Sequence, residues 1–337
     1  YDQGSFDFQI AGSEGKLLFY PTKSAVNDYD ITALAFNLND NYLGIGSTAL
    51  GGIADINTSS VKVPSGTQTT VVGIASTYRS VKVLVEISPD IAADEGFNST
   101  EWEFTELNVI HDGSTVDLLE YGELTTTQGG YSDPGFGTFY PYLSGKDLKV
   151  DFIPNAGIGT TCVVNTIQVA ISSESSSGIA TVDMNHAQIV AKTKSIAASG
   201  TPIAVPVAEY SNDYDAAYFT AQVSDTTNNF YQMSEIIIVD NYIEDPSESV
   251  TTYDTQYGTV VVNNASELGI FTSGVSGLGT VSLYFQPNAN IDVEVKTVMN
   301  ALKNVVANKD EINFTNATIT SGLEEYFGTE RDIKRAF

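Results

Sequence analysis

Three glutamates around the single tryptophan come nearest to the spacing of an acid–base pair. Glu101 and Glu103 flank Trp102, and Glu106 follows on the same predicted strand. A glycan-binding module or a hydrolase would need such carboxylates to face a cleft, with an aromatic ring stacked on a sugar. Residues two apart on a strand share one face of a sheet whether or not they do chemistry. We therefore predict no catalytic residue and interpret the protein as a non-enzyme.

Two histidines and one cysteine restrict metal and nucleophile chemistry. His111 and His186 are too few for a multi-histidine metal centre, and His111 is predicted to be a turn residue because the related later segment has Val239-Asp240. Cys162 has no disulfide partner and lies in a strand-like stretch, which predicts a small buried thiol. The chain contains no nucleophile elbow, phosphate loop or dinucleotide-binding motif. We predict no cofactor-binding residue.

One acidic tetrapeptide occurs twice, as Asn27-Asp28-Tyr29-Asp30 and as Asn212-Asp213-Tyr214-Asp215. Oxygen-rich turns of this kind can bind calcium. Neither copy continues with the spacing of an EF-hand, so both are interpreted as solvated turns. We predict no metal ligand.

The charge of the chain restricts its partners. It has 15 Lys and Arg against 42 Asp and Glu, a formal net charge of −27 that is spread along the sequence. Such a field repels nucleic acid and anionic membranes. No run of about 18 apolar residues predicts a membrane span. The sequence lacks an initiator Met and a signal peptide, which indicates a processed or truncated chain or part of something longer.

Repeated short sequence motifs indicate the domains that position all of these residues. Phe19-Tyr20-Pro21, Phe152-Ile153-Pro154 and Phe285-Gln286-Pro287 are each 133 residues apart (152 − 19 and 285 − 152). Asp55-Ile56-Asn57, Asp183-Met184-Asn185 and Glu311-Ile312-Asn313 recur every 128 residues. Further matches between the two full copies are Tyr78 with Tyr214, Glu106 with Glu235, Tyr121-Gly122 with Tyr257-Gly258, and Asn155 with Asn288. A period of about 130 residues is that of a whole domain, so the chain is predicted to be a string of like modules.

The modules are predicted to be all-β. Short strand signals are separated by Gly, Asn, Asp and Ser, which is typical of a jelly-roll or immunoglobulin-like β-sandwich. The pattern predicts a half-buried strand over 81–87, a central strand over 236–239 and a hairpin turn at Asp112-Gly113. The repeated prolines are expected to end strand pairing or mark an edge, because proline lacks the N–H that a ladder needs.

Four segments follow from the repeat. We predict the closing half of an incomplete β-module at 1–46, full β-sandwich modules at 47–174 and 175–306, and an opening strand with a short helical C-terminal tail at 307–337. Half a sandwich exposes an apolar face and open strand edges, so 1–46 must be completed by further polypeptide or by another subunit. The repeated anchors are predicted to be folding residues: Phe19, Pro21, Phe152, Pro154, Phe285 and Pro287.

Four stretches also resemble a known family. They are Tyr78–Val85, Glu106–Gly113, Asp151–Pro154 with Asn165-Thr166-Ile167, and Asp215–Val223. These resemble the large virion structural proteins of contractile-tailed phages of marine cyanobacteria, and the likeness covers most of residues 60–305. The resemblance implies a location in the virion and gives no functional residue.

The expected function is therefore that of a non-enzymatic structural protein in a phage tail, baseplate, fibre or outer decoration. Its expected partners are other copies of itself and other virion structural proteins, with a host-surface glycan as a further candidate. No nucleic acid and no membrane insertion are expected. The alternative is a bacterial extracellular filament, adhesin or surface-layer subunit, which would explain the modules and the acidity equally well.

Overall fold

A computed structural model describes residues 4–11, 14–21, 45–89, 102–125, 135–155, 161–174, 178–184, 187–211, 213–225, 227–240, 251–262, 266–276 and 279–303. The chain divides into two compact units, one formed by residues 1–33 and 305–337 and the other by residues 34–304. The described residues contain twenty strands and no α-helix, so the predicted all-β fold is confirmed. The predicted helical tail lies outside the described residues.

The strands in chain order are β1 (Gly4–Ala11), β2 (Glu14–Pro21), β3 (Ile45–Leu50), β4 (Ala54–Val63), β5 (Thr69–Ile74), β6 (Tyr78–Pro89), β7 (Glu103–His111), β8 (Val116–Thr125), β9 (Gly137–Ser144), β10 (Asp147–Pro154), β11 (Cys162–Ser172), β12 (Ile179–Met184), β13 (Ala187–Ile196), β14 (Val205–Ser211), β15 (Tyr214–Asp225), β16 (Phe230–Asp240), β17 (Thr252–Val261), β18 (Gly269–Val275), β19 (Thr280–Pro287) and β20 (Val293–Lys303).

The larger unit contains the same pair of sheets twice. The first module has a six-stranded sheet in the order β3-β4-β11-β6-β7-β8 and a three-stranded sheet in the order β5-β10-β9. The second module repeats this as β12-β13-β20-β15-β16-β17 and β14-β19-β18. All pairings are antiparallel. Each module is thus a sandwich of a six-stranded and a three-stranded sheet, with one apolar core between them.

The repeated Phe-x-Pro motif lies in the second strand of three equivalent β-hairpins. β1–β2, β9–β10 and β18–β19 each pair a glycine with the final proline, as in Gly137↔Pro154 and Gly269↔Pro287. Two residues inward, each hairpin pairs phenylalanine with phenylalanine, as in Phe139↔Phe152. The expectation that these prolines end their strands is confirmed.

Close packing explains the glycine of this hairpin. The rings of Phe139 and Phe152 lie 4.9 Å apart, and those of Phe271 and Phe285 are at the same distance. A Cβ atom on Gly137 would lie 2.4 Å from the Phe152 ring and from a backbone oxygen, so only glycine fits. The asparagine after each proline closes the end of the hairpin. Asn155 and Asn288 each donate a backbone N–H, over 2.8 Å, to the carbonyl of a residue just before the first strand of the hairpin.

Two strand predictions need correction. β6 is not half-buried, because Val81, Lys82, Val83 and Val85 are all buried and its second face packs against the other module. β16 lies inside its sheet as predicted, but its apolar run is only alternately buried. Ile236 and Ile238 are fully buried, whereas Ile237 and Val239 are 37% and 42% exposed.

The turn at Asp112-Gly113 forms as predicted and joins β7 to β8. The Asp112 backbone N–H donates to the Thr115 carbonyl over 3.2 Å, and Gly113 has a φ of +93°, in the region that favours glycine. Burial opposes ionisation of the Asp112 carboxyl, but hydrogen bonds from Thr115 and Ser114 lower its pKa to about 2. His111 itself is not in the turn. It is the last residue of β7 and is fully buried.

Candidate functional site

The two six-stranded sheets face each other, and the surface between them holds a group of buried polar side chains that contact one another across the two modules. Apolar contacts flank this interface at two places. At one, Leu50, Ile53 and Ile171 of the first module pack against Ile189 and Val298 of the second. At the other, Ile110 of the first module packs against Tyr231, Met233 and Val262 of the second.

A buried ion cluster lies between these two apolar areas. The Lys82 ammonium on β6 contacts the carboxylate of Glu106 on β7 in its own module and that of Glu235 on β16 of the other module, the latter at 3.0 Å. Its Nζ also donates to the Tyr121 hydroxyl and lies 4.4 Å from the centre of that ring. The side chains of Lys82 and Glu235 are 4% and 0% exposed, so this ion pair is shielded from water.

Glu235 is the centre of the cluster. Its Oε1 accepts hydrogen bonds from Lys82 Nζ at 3.0 Å and from Asn108 Nδ2 at 2.6 Å, and its Oε2 accepts one from the Tyr218 hydroxyl. Burial raises the pKa of Glu235 although the Lys82 charge and these donors act in the opposite direction. Burial also raises the pKa of Tyr218, which keeps its hydroxyl protonated as a donor.

Equivalent positions of the two repeats meet at this cluster. Glu106 and Glu235 each sit at a β-bulge beside a tyrosine of the next strand, Tyr121 and Tyr257 respectively. The two tyrosine rings contact each other edge to face at 6.4 Å. Each tyrosine precedes a glycine of positive φ, +69° at Gly122 and +58° at Gly258. A Cβ on Gly258 would lie 2.8 Å from both Asn108 Nδ2 and Glu235 Oε1, so the glycine provides the space in which these groups meet.

The two modules differ at one key position of this otherwise repeated arrangement. Lys82 lies four residues after Tyr78, and its counterpart four residues after Tyr214 is Tyr218. The cluster therefore has one lysine and not two. Its two carboxylates share a single ammonium group and the hydroxyl donors around it.

A second polar contact links the modules near the end of β11. Ser80 Oγ donates to Gln222 Oε1 over 2.7 Å, and Lys296 Nζ donates to the Ser172 carbonyl over 2.9 Å. Burial lowers the pKa of Lys296, although the carboxylate of Glu294, 3.3 Å away, acts in the opposite direction. These bonds satisfy polar groups that the interface removes from water.

The glutamates that the sequence singled out do not converge on a cleft. Glu103 is buried and accepts the backbone N–H of Phe136 at 2.6 Å, on the side of β7 that faces the core of its own module. Glu106 contacts Lys82 at the interface between the modules. Trp102 is half-buried, and Glu101 lies outside the described residues.

The other candidate residues have structural surroundings where they are described. Cys162 is buried as predicted, and burial followed by the charge of Glu103 raises the pKa of its thiol to about 11. His111 contacts the Tyr78 carbonyl at 2.7 Å and the Arg79 guanidinium at 3.2 Å. Among the described residues, no three His, Cys, Asp or Glu side chains form a group that could hold a metal ion. His186, 27–30, Asn212 and the side chain of Asp215 lie outside that description.

Sequence reasoning found Glu235, Tyr121 and Tyr257 only as matches between repeats, and Glu106 as such a match and as one of the glutamates near Trp102. It missed the roles of Lys82, Asn108 and Tyr218. A lysine among the valines of 81–85 and an asparagine next to Val109 are the signals that point to them. Polar residues at such positions indicate either a solvated face or a buried partner.

The fold defines the class of the protein as an all-β protein of repeated β-sandwich modules. No protein-family model, curated protein or solved structure matches the chain. The resemblance to phage virion proteins thus stays a prediction from the sequence. Within the described residues, no helix is both long enough and apolar enough to cross a membrane.

Proposed function

We propose that the protein is a non-enzymatic structural component of a phage virion, in the tail, baseplate, fibre or outer decoration. The observation that carries the structural role is the buried interface between the two modules. Its apolar clusters and its Lys82–Glu235 ion pair hold two sandwiches in one arrangement. A pair of modules held in this way supplies length and fixed spacing, which are the requirements of a particle component. The location in a virion rests on the sequence resemblance.

Assembly would use the edges of the sheets. Among the described residues, β12 is an edge strand of the second six-stranded sheet and pairs with β13 alone. Its exposed side chains include the apolar Ile179, Val182 and Met184, of which Ile179 is 64% exposed. An exposed apolar edge is suited to pairing with a strand of another chain. The partners are thus further copies of this protein or other virion proteins, joined by module contacts or by strand exchange.

The alternative is a subunit of a bacterial extracellular filament, adhesin or surface layer. Edge-strand contacts between copies would serve such a filament equally well. The two proposals differ in where the protein is found, so the deciding experiment concerns location.

Immunogold electron microscopy of the source material tests the proposal, with antibodies raised against residues 61–306. Gold on phage tails or heads would support the virion role and identify the substructure. Gold on cell envelopes or free filaments, with unlabelled phage particles, would overturn it in favour of the surface filament. Antibodies depleted on the purified protein serve as the control and should leave every structure unlabelled.

A further inference from the structure

An amine, an amide and a carboxyl group meet in the interface cluster. Lys82 on β6 and Asn108 on β7 are direct cross-strand partners, so their side chains leave the sheet side by side. Glu235 from the other module lies against both, with its Oε1 3.0 Å from Lys82 Nζ and 2.6 Å from Asn108 Nδ2. All three residues are buried. One carboxylate oxygen is therefore shared by an amine nucleophile and an amide nitrogen.

This arrangement has the parts that an acyl-transfer reaction requires. A lysine amine becomes a nucleophile when an adjacent base takes its proton, and Lys82 contacts two carboxylates, Glu106 and Glu235. The amide of Asn108 is the electrophile, and fixed proximity replaces the need for an encounter in solution. Asn108 Oδ1 is buried without a hydrogen-bond partner among the described residues. An unsatisfied buried group of this kind calls for a structural or chemical explanation.

We propose that Lys82 and Asn108 form an intramolecular isopeptide bond, with Glu235 as the proton carrier. Lys82 Nζ transfers protons to the neighbouring carboxylates, and its lone pair attacks Asn108 Cγ. The Cγ–Nδ2 bond then breaks, and Glu235 delivers protons to Nδ2, with which it is already hydrogen-bonded. One ammonium side chain and one carboxamide thus give one secondary amide and one ammonium ion. No oxidant or reductant is needed, and both carboxylates are regenerated.

The surroundings favour the bonded form. The buried Lys82–Glu235 ion pair costs desolvation energy. In the bonded form the ammonium charge is gone, and Glu235, whose pKa burial raises, takes up a proton from water, so neither group of the pair remains charged in the interface. Ammonium leaves to water, so the reaction does not reverse inside the folded protein. The bond would also join β6 to β7 covalently at the interface, as a cross-link that suits a protein under mechanical load.

Intact-mass spectrometry of the full-length folded chain tests this proposal. The bond lowers the mass by about 17 Da, the mass of the ammonia released. After proteolysis, the peptide that contains Lys82 should remain joined to the peptide that contains Asn108, and trypsin should not cleave after Lys82. A folded wild-type chain with the full mass expected from its sequence would overturn the proposal.

Three variants identify the reacting atoms. Lys82→Arg keeps the positive charge without the primary amine and should have its full mass, and a persistent loss of about 17 Da would place the reaction elsewhere and overturn the proposal. Asn108→Asp should lose about 18 Da, because water is then the leaving group. Glu235→Gln should retain its full mass, and cross-linking at the wild-type rate would exclude Glu235 as the proton carrier. The mass of each variant is measured after a cooperative unfolding transition has shown that the variant is folded.

Discussion

Lys82 is the residue on which the interface between the modules depends most. Its ammonium group faces Glu106, whose side chain is 28% exposed, and Glu235, whose side chain is fully buried. Removing one member of such a group leaves the others without compensation in a medium that solvates charge poorly. The cost of losing the lysine is thus greater than the value of the ion pair itself.

Substitution Lys82→Met tests this dependence. Relative to wild-type chain that carries the free Lys82 ammonium, we expect the free energy of unfolding to fall by about 3–5 kcal/mol, because Glu235 remains fully buried without its cation and Glu106 loses the same partner. Urea unfolding followed by circular dichroism gives the value. The matched control is Lys146→Met at the exposed turn between β9 and β10, which should change stability by less than about 0.5 kcal/mol. Equal effects of the two substitutions would contradict this account.

The stability of the protein is expected to depend on pH through His111. Burial lowers its pKa from the ordinary 6.5; the hydrogen bond to the Tyr78 carbonyl opposes this shift, and the Arg79 charge adds to it. As the pH falls below about 6.5, the unfolded chain takes up a proton at this residue and the folded chain does not. The unfolded state then binds more protons, so stability falls as the pH decreases.

Unfolding measured between pH 7.5 and 5.5 checks this prediction. In a His186→Gln background, His111 is the only histidine, and its contribution should reach up to about 1.4 kcal/mol per pH unit below the pKa of the unfolded chain. Adding His111→Gln should remove that part of the slope. An unchanged slope in the double variant would show that His111 is protonated equally in both states.

At the scale of the elements, the repeated hairpin is defined by two aromatic rings and a glycine. Gly137 and Gly269 lie where a ring of the opposite strand and a backbone oxygen approach within 2.4 Å of the position that a Cβ would take. The phenylalanines of the two hairpins, Phe152 and Phe285, are fully buried in the cores of their modules. The buried phenylalanine ring therefore occupies the space that a side chain at the glycine would need.

Gly137→Ala and Gly269→Ala should each destabilise the protein by about 1–3 kcal/mol, because the added methyl group displaces a buried ring or the backbone. Thermal unfolding measures both. Gly200→Ala is the control, since a Cβ at Gly200 meets no atom within 4 Å. A loss at Gly200 as large as that at Gly137 would mean that backbone freedom, and not packing, sets the cost.

At the scale of the whole molecule, the interface should make the two modules unfold together. Each has its own core, but Val298, Ile189 and the Glu235 cluster connect them through buried contacts. The free energy of those contacts is lost as soon as either module unfolds, which couples the two transitions.

Differential scanning calorimetry of the chain tests this coupling. We expect one main transition for the wild type and two separate ones for Val298→Asp, because a buried charge at the interface removes the contacts that join the modules. Ile203→Asp replaces an exposed apolar residue and should keep the single transition. Two well-separated transitions in the wild type would contradict the proposed coupling.

The sequence predicted what depends on local and repeated patterns. The all-β class follows from short strand signals between turn residues, and the hairpin at Asp112-Gly113 follows from the conformational freedom of glycine. Pro21, Pro154 and Pro287 each end a strand, which fits the backbone N–H that proline lacks. The repeat spacing also matched Glu106 with Glu235, although it gave no reason why they should meet.

The contact between the two modules could not be predicted from the sequence. A strand such as β6 has two faces, and its sequence cannot say whether the second face meets water or another sheet. Lys82 and Asn108 are polar residues that would suit a solvated face, and His111 would suit a turn. Lys82 and Asn108 are buried because a second six-stranded sheet, more than a hundred residues away in sequence, covers that face and supplies Glu235. His111 is buried beside Tyr78 and Arg79 of its own module. The modules and their repeat follow from local and periodic patterns in the sequence, whereas the buried ion cluster exists only through a long-range contact that no local pattern encodes.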